Sequence, residues 1–211
     1  MNKEEFVEEC NKINIYITEE QLNQLDQFYH LMLEWNEKIN LTRITEEKEV
    51  YLKHFYDSLT LNKVVNLKEI NTLCDVGTGA GFPGIVLKII FPNLKVTLID
   101  SLQKRVNYLN EVIKELNLKD IEAIHSRGED YIGSFDVVTS RAVANIEKLV
   151  DYTMHLVSKD GIFVAMKGNI EEELTKEVKN KLERKYKILT IEEFLLPIEK
   201  SNRSLIVMKN K

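Results

Sequence analysis

The sequence predicts an α/β protein, a doubly wound and mostly parallel sheet with a C-terminal antiparallel hairpin and an N-terminal helical appendage. Three observations carry this reading. Residues 1–66 contain neither glycine nor proline, and their apolar residues recur at helical steps. From residue 70 onward, short, nearly continuous apolar runs alternate with amphipathic stretches, the pattern of parallel strands covered by helices on both faces. The last two apolar runs follow each other with no helix-length segment between them, which predicts a hairpin. The expected division is 1–66 for the appendage and 67–211 for the α/β domain, and a chain of 211 residues can bury a full core.

The elements are justified in order. In "TEEQLNQLDQFYHLMLEWNEKIN", Leu22, Leu25, Tyr29, Met32, Trp35 and Ile39 form an amphipathic stripe. Thr18 and Gln21 have the spacing of a reciprocal N-terminal cap. A further helix is expected over about 46–65. Strands are expected in "INTLCDVG", "LKVTLID", "IEAIHS", "FDVVTSRAV" and "GIFVAMKG", and the hairpin in "YKILTIEEFLLP" and "SLIVMKN". "EEELTKEVKNKLERKYK" reads as a solvated helix face with i,i+4 Glu–Lys pairs.

Composition narrows the function classes. Apolar residues make up 44% and charged residues 30%, ordinary for a soluble globular chain. The net charge of −5 argues against indiscriminate coating of nucleic acid. Residues 1–99 hold 10 Lys/Arg against 15 Asp/Glu, and residues 100–211 hold 19 of each, so a local basic site in the second half is compatible with the total. No apolar run approaches the roughly 18 residues of a membrane span, and "MNKEEFVEECNK" has no signal-peptide core. Cys10 and Cys74 lack metal-ligand spacing. A reduced, cytoplasmic setting is expected, without a metal and without a membrane partner.

The stretch "CDVGTGAGFPG" (74–84) holds Gly77, Gly79, Gly81 and Gly84. It follows the first expected strand, where open α/β sheets bind ligands. A dinucleotide fingerprint counted from Gly77 would need glycine at 82, where Phe82 stands; counted from Gly79 it fits but places Pro83 at the helix start. No G-K-[ST] follows, so the loop is not a phosphate-binding P-loop. Asp100, at the end of "VTLID", suits the hydroxyls of an adenosine ribose, which NAD and S-adenosylmethionine (SAM) share. With Asp75 expected to face a methionine amino group and Gly77 and Gly79 beneath the nucleoside, SAM is the expected cofactor, and the scaffold is then of the SAM-dependent methyltransferase type.

Cations are expected to gather near the strand ends, Lys104, Arg105, Arg127 and Arg203 among them, with Arg141 and Lys167 as catalytic or pocket-closing groups, since long cations seldom end buried strands without a partner. His54, Asp57 and Ser58 stand at i, i+3 and i+4, too close on one helix for a Ser-His-Asp triad. They read either as a hydrogen-bonded cluster joining appendage to core or as a pocket wall. His30, His125 and His155 have no ligand spacing.

Seven stretches, "NLTRI" (40–44), "HFYDSL" (54–59), "DVGTGAGFPGI" (75–85), "LIDSLQKRVNYL" (98–109), "RGE" (127–129), "SRAVA" (140–144) and "MKG" (166–168), run in this order over about 40–168. On them the chain resembles the ribosomal RNA small subunit methyltransferase G family, also called glucose-inhibited division protein B. The resemblance implies a bacterial cytoplasmic enzyme that uses SAM to methylate N7 of a guanine in 16S ribosomal RNA. The partner is the RNA or the small subunit, and a monomer is expected. It also implies SAM contacts at Gly77, Phe82, Gly128, Glu129 and Arg141, and with RNA as the substrate Lys104, Arg105, Arg127 and Arg203 are the expected RNA contacts. Gly128 departs from the alanine usual in the family.

The chemistry of the residues agrees with a ring-nitrogen target. Guanine N7 offers a lone pair and has no proton to lose, so alignment rather than a base is required. A pyrimidine C5 enzyme would need a Pro-Cys nucleophile, and an exocyclic-amine enzyme an Asn/Asp-Pro-Pro-aromatic turn where this chain reads "SRAVA". The alternatives are a SAM-dependent methyltransferase with another substrate, a non-catalytic RNA-binding assembly factor, and a NAD-linked oxidoreductase, against which Phe82 and the missing Tyr-x-x-x-Lys pattern count.

Overall fold

The computed structural model describes residues 1–141 and 144–211. Helix α1 (Lys3–Lys12) begins at a reciprocal cap between Asn2 and Glu5. Helix α2 (Glu19–Ile39) has the expected one: Gln21 N donates to Thr18 Oγ1 at 3.2 Å, and Thr18 N donates to Gln21 Oε1 at 3.0 Å. Each exchange satisfies donors that a helix start leaves free. Of the stripe, Leu25, Tyr29 and Met32 are buried, and Leu22, Trp35 and Ile39 pack against the same core partly buried. The helix stops at Asn40 in the left-handed conformation, φ 52°, which asparagine tolerates better than most residues.

The single helix expected over 46–65 is helical but not uniform. It comprises α3 (Glu47–Val50), a π-helical stretch (Tyr51–Tyr56), α4 (Asp57–Leu59) and a 3₁₀ turn (Thr60–Lys63). Periodicity alone does not reveal a widened turn. Here Tyr51 and Phe55 pack edge-on at 5.0 Å between ring centres and reach Phe6 and Phe28, while His54 and Asp57 meet the ends of the strands. π-turns of this kind recur where a helix carries functional side chains.

The sheet contains β1 (Thr72–Val76), β2 (Lys95–Asp100), β3 (Ile121–His125), β4 (Phe135–Arg141), β5 (Val157–Lys167), β6 (Tyr186–Leu195) and β7 (Asn202–Asn210), in the order β3-β2-β1-β4-β5-β7-β6. The first five pair in parallel, and β7 lies antiparallel between β5 and β6. The doubly wound sheet and its closing hairpin are therefore as the sequence predicts. Helices α5 (Gly84–Ile90), α6 (Gln103–Glu115), α7 (Ile146–Thr153) and α8 (Lys176–Lys185) complete the layers.

Strand residues alternate between two cores, as the pleat requires. Leu73, Val137 and Val164 join residues of α1, α2 and α5 on one side, and Cys74, Val138 and Ala165 join α7 and α8 on the other. The N-terminal helices thus share a core with one face of the sheet. Gln21 strengthens that junction, because its Nε2 donates to the carbonyls of Ile89 and Ile90 at the end of α5, at 3.2 and 3.0 Å. Among the described residues no helix is long and apolar enough to cross a membrane.

The β1–α5 connection is the tightest part of the packing. A Cβ added at Gly84 would stand 2.2 Å from Leu98 Cδ2 and 3.0 Å from Asp75 Oδ2. Gly84→Ala is expected to cost about 1–3 kcal/mol of stability through overpacking, measured by urea unfolding. An unchanged midpoint would show that β2 yields to the extra methyl group.

Candidate active site

The chain order reverses its direction of growth at β1, which has β2 on one side and β4 on the other. Ligands bind at such switch points beyond the carboxyl ends of the strands. The glycine loop leaves β1 there. Gly77 and Gly79 have φ of 72° and 61°, a region that side chains seldom adopt. At Gly79 an added Cβ would meet nothing nearer than Gly77 O at 3.9 Å, so the loop is open on its ligand side.

Two cavities meet on this loop, and Gly77 borders both. The smaller, about 230 Å³, is walled by Asp100, Ser126, Arg127, Gly128, Glu129 and Tyr152. Asp100 Oδ2 accepts from Gly79 N and Oδ1 from Leu102 N, both at 2.9 Å. A carboxylate offers about four lone-pair sites, and with Arg105 Nη1 also donating to Oδ2 one remains for a ribose hydroxyl. Arg105, expected at RNA, instead turns its Nη1 to Asp100 Oδ2 at 3.4 Å. Arg127 is exposed, 3.8 Å from Glu129, at the rim of this cavity. Lys104 is exposed on α6 and lines neither of the two cavities.

Gly128, which departs from the family's usual alanine, sits in close packing. A Cβ there would stand 2.7 Å from Val76 Cγ1 and 3.1 Å from Tyr152 O. The missing methyl group would point at protein rather than at a ligand, and the glycine permits close approach of the two chains.

Asp75 departs from expectation. It is fully buried and lines neither of these cavities. Its Oδ2 accepts from Thr78 Oγ1 at 2.7 Å and Gly84 N at 2.9 Å, so the carboxylate ties the loop to the start of α5. Oδ1 has no partner. Burial pushes its pKa up to about 6, against the lowering by those two hydrogen bonds.

The larger cavity, about 370 Å³, is bordered by four cations, Lys53, Arg141, Lys167 and Arg203, and one carboxylate, Asp57. Arg141 reaches across to the helical segment: Nη1 donates to Asp57 Oδ2 at 3.1 Å and to Lys53 O at 3.0 Å. Arg203, from β7, donates from Nε to Asp57 Oδ1 at 2.8 Å. One buried carboxylate therefore holds two guanidinium groups, with a surplus positive charge in the cleft. Lys167 donates to Ala144 O and pairs with Glu173 at 2.8 Å, which anchors the chain beyond β4. Ala142 and Val143 of the "SRAVA" stretch lie outside the described residues.

His54 completes the arrangement. Its ring stacks on Phe82 at 4.3 Å between centres and 16° between planes, and Arg141 Cζ lies 5.2 Å from the centre of the same Phe82 ring. Arg141 Nη2 stands 3.1 Å from His54 Nδ1 and Thr42 Oγ1 3.0 Å from Nε2. A guanidinium can only donate, so Nδ1 is the acceptor and the proton is assigned to Nε2, which donates to Thr42. Burial, with Arg141 adding to it, lowers the His54 pKa from 6.5 to about 3. Ser58 Oγ instead donates to His54 O at 2.6 Å, so no triad forms. The cluster both joins the helices to the sheet and walls the cavity.

Thr42 and Lys53 border this cavity without having been singled out in the sequence, whereas His54 and Asp57 had been read as a joining cluster or a pocket wall. Their signal was the pair of stretches "NLTRI" and "HFYDSL", which gain meaning once Thr42 is seen to hold the His54 ring.

Sheet order, glycine loop and paired cavities define the SAM-dependent methyltransferase class of fold. A crystal structure of a SAM-dependent methyltransferase from Aquifex aeolicus superposes with a TM-score of 0.59 at 23% identity, covering 77% of this chain and 93% of that one. Within that class the chain belongs to the family described as rRNA small subunit methyltransferase G, whose profile matches residues 21–206. It is 46% identical over 218 residues to the ribosomal RNA small subunit methyltransferase G of Bacillus licheniformis, covering 100% of this chain and 91% of that protein. To the Staphylococcus aureus (strain Newman) protein of the same name it is 48% identical over 184 residues, covering 85% and 77%.

The buried histidine makes stability depend on pH. Between pH 6.5 and about 3 the unfolded chain binds a proton at this position that the fold does not, so stability falls as pH drops. Asp75, raised from 3.8 to about 6, acts oppositely between those values, because there the fold binds the extra proton. Urea midpoints taken from pH 7 to 5 should fall more steeply for the natural chain than for His54→Gln. The difference should approach about 1.4 kcal/mol per pH unit below 6.5. Equal slopes would mean that His54 is protonated in the fold.

Proposed function

We infer that the chain transfers a methyl group from SAM to N7 of a guanine in 16S ribosomal RNA. The observation that carries this is the meeting of the two cavities at Gly77 in a member of the rRNA small subunit methyltransferase G family. One cavity has the carboxylate and backbone suited to a nucleoside, and the other has the cations suited to RNA. When bound, SAM supplies an electrophilic methyl group on a sulfonium. Asp100 would hold the ribose, Gly128 and Glu129 the adenine side, and Gly77 and Gly79 the floor. Phe82 and Arg141 would close the pocket toward the substrate.

The residues of the larger cleft suit a reaction that needs no base. His54 has both ring nitrogens engaged, and both Asp57 oxygens accept from arginines, so neither is free to take a proton. Guanine N7 has none to give. The protein's contribution is then alignment, which can supply a large share of a barrier.

We propose the same division into a 1–66 helical appendage and a 67–211 methyltransferase domain, the appendage supplying Thr42, Lys53, His54 and Asp57 to the cleft. We further propose a cytoplasmic monomer; the two buried, unpaired thiols of Cys10 and Cys74 support a reducing compartment.

Small subunits isolated from cells lacking the modification, incubated with methyl-labelled SAM, should take up label in 16S RNA as 7-methylguanine. Label in protein, or none in RNA, would overturn the reading. Asp100→Ala should weaken SAM binding about 10- to 100-fold by calorimetry, the loss expected for charged hydrogen bonds to the ribose. Unchanged affinity would remove Asp100 from the cofactor site.

A further inference from the structure

Between β6 and β7 the chain turns through residues 196–201. Leu196 is buried beneath the turn, where its N–H donates to Ser201 O at 2.9 Å and its carbonyl accepts from Lys200 N at 3.1 Å. Within this frame Glu199 N donates to Pro197 O at 2.7 Å, around Ile198 with φ 65°. A three-residue turn with positive central φ is rare and strained, and a β-branched residue there is an outlier. Packing does not compensate for it, since Ile198 is 56% exposed and Leu195, at the end of β6, is 52% exposed. The fold holds an apolar side chain outward at a cost to the backbone, a combination found at ligand contacts.

The turn stands at the mouth of the larger cavity. Glu199 Oε2 pairs with Lys53 Nζ at 3.0 Å, and Lys53 and Arg203, the latter just inside β7, border that cavity. Lys200 on the turn is exposed, and Lys63 Nζ lies 4.9 Å from the Phe194 ring on the neighbouring strand. Lys53 Nζ also pairs with Glu49 Oε1 at 2.7 Å, so the exposed Lys63 and Lys200 are the cations this flank presents to phosphate. On the other side Glu171 and Glu193 line the shallow dent beneath Leu195, which disfavours phosphate and leaves the apolar ridge to contact a base.

From this arrangement we propose that the β6–β7 turn is an RNA-gripping lip. Ile198 packs against an unstacked base beside the target guanine, and the Lys63 and Lys200 side takes the adjoining backbone. Apolar side chains act as wedges at base steps in other nucleic-acid complexes, and RNA loops offer splayed bases for such contacts. The proposal rests on the reading of the site as an rRNA methyltransferase.

The test compares the full chain with Ile198→Gly, which removes the side chain and relieves the positive φ, and with Ile198→Asn, which tolerates that φ but is polar. Both variants should melt at the natural temperature or above it and bind SAM with affinity within about twofold of the natural chain, while KM for unmodified small subunits rises about tenfold with kcat little changed. A KM within about twofold of the natural value in both variants would overturn the lip. So would a parallel loss of SAM affinity or a lower melting temperature, either of which would make Ile198 a structural support. If the natural chain binds the RNA without methylating it, the activity reading fails alone, and filter binding of the same RNA by chain and variants decides the lip. No RNA binding by the natural chain overturns both.

Discussion

Asp57 receives Arg141 from the end of β4 and Arg203 from the start of β7, and it belongs to neither strand. It sits in the helical segment, so a single carboxylate fixes three parts of the chain that meet only in the fold. Its burial raises what is at stake in those contacts. Removing one partner from a buried ion pair costs about 3–5 kcal/mol, because the other charge is left without compensation. Here the loss of Asp57 would leave two guanidinium groups beside each other at the cleft. The stacked His54 and Phe82 rings and the course of Arg141 across to the Lys53 carbonyl surround that pairing.

The glycine loop obeys a second constraint of the same kind. Asp75 and Asp100 both accept hydrogen bonds from the loop, Asp75 at its far end and Asp100 at Gly79. Asp75 is committed to the loop on one oxygen and keeps the other unpartnered; Asp100 retains accepting capacity toward the open cavity. Two carboxylates that look equivalent in the motif therefore differ in access. The one that orders the loop is sealed, and the one that ends β2 lines the smaller cavity.

A neutral histidine in a cleft of cations also has a physical logic. Arg141 needs acceptors on more than one side, and a protonated ring would offer none. Thr42 fixes the tautomer from the opposite edge, so the end of α2 reaches the site through one hydroxyl. The cofactor loop, the helical segment and the closing hairpin are thus coupled through residues that touch one another directly.

Much of this was legible in the residues themselves. Apolar periodicity placed α2 and its cap, the five parallel strands and the hairpin, because strand and helix periods differ and each burial pattern is written locally. The glycine spacing and Asp100 marked the ligand end of β1 for the same reason. What remained out of reach was decided by contacts distant in sequence. The role of Asp57 requires Arg141 and Arg203, 84 and 146 positions away, and the π-turn that presents it follows from aromatic packing against α1 and α2. Lys104 and Arg105, adjacent in the chain, separate because helical geometry turns one to solvent and the other to Asp100. The sequence by itself determined the layers, the loop and the family. Only the tertiary structure decided which charges meet in the cleft, since pairing depends on where strand ends and helix faces come together.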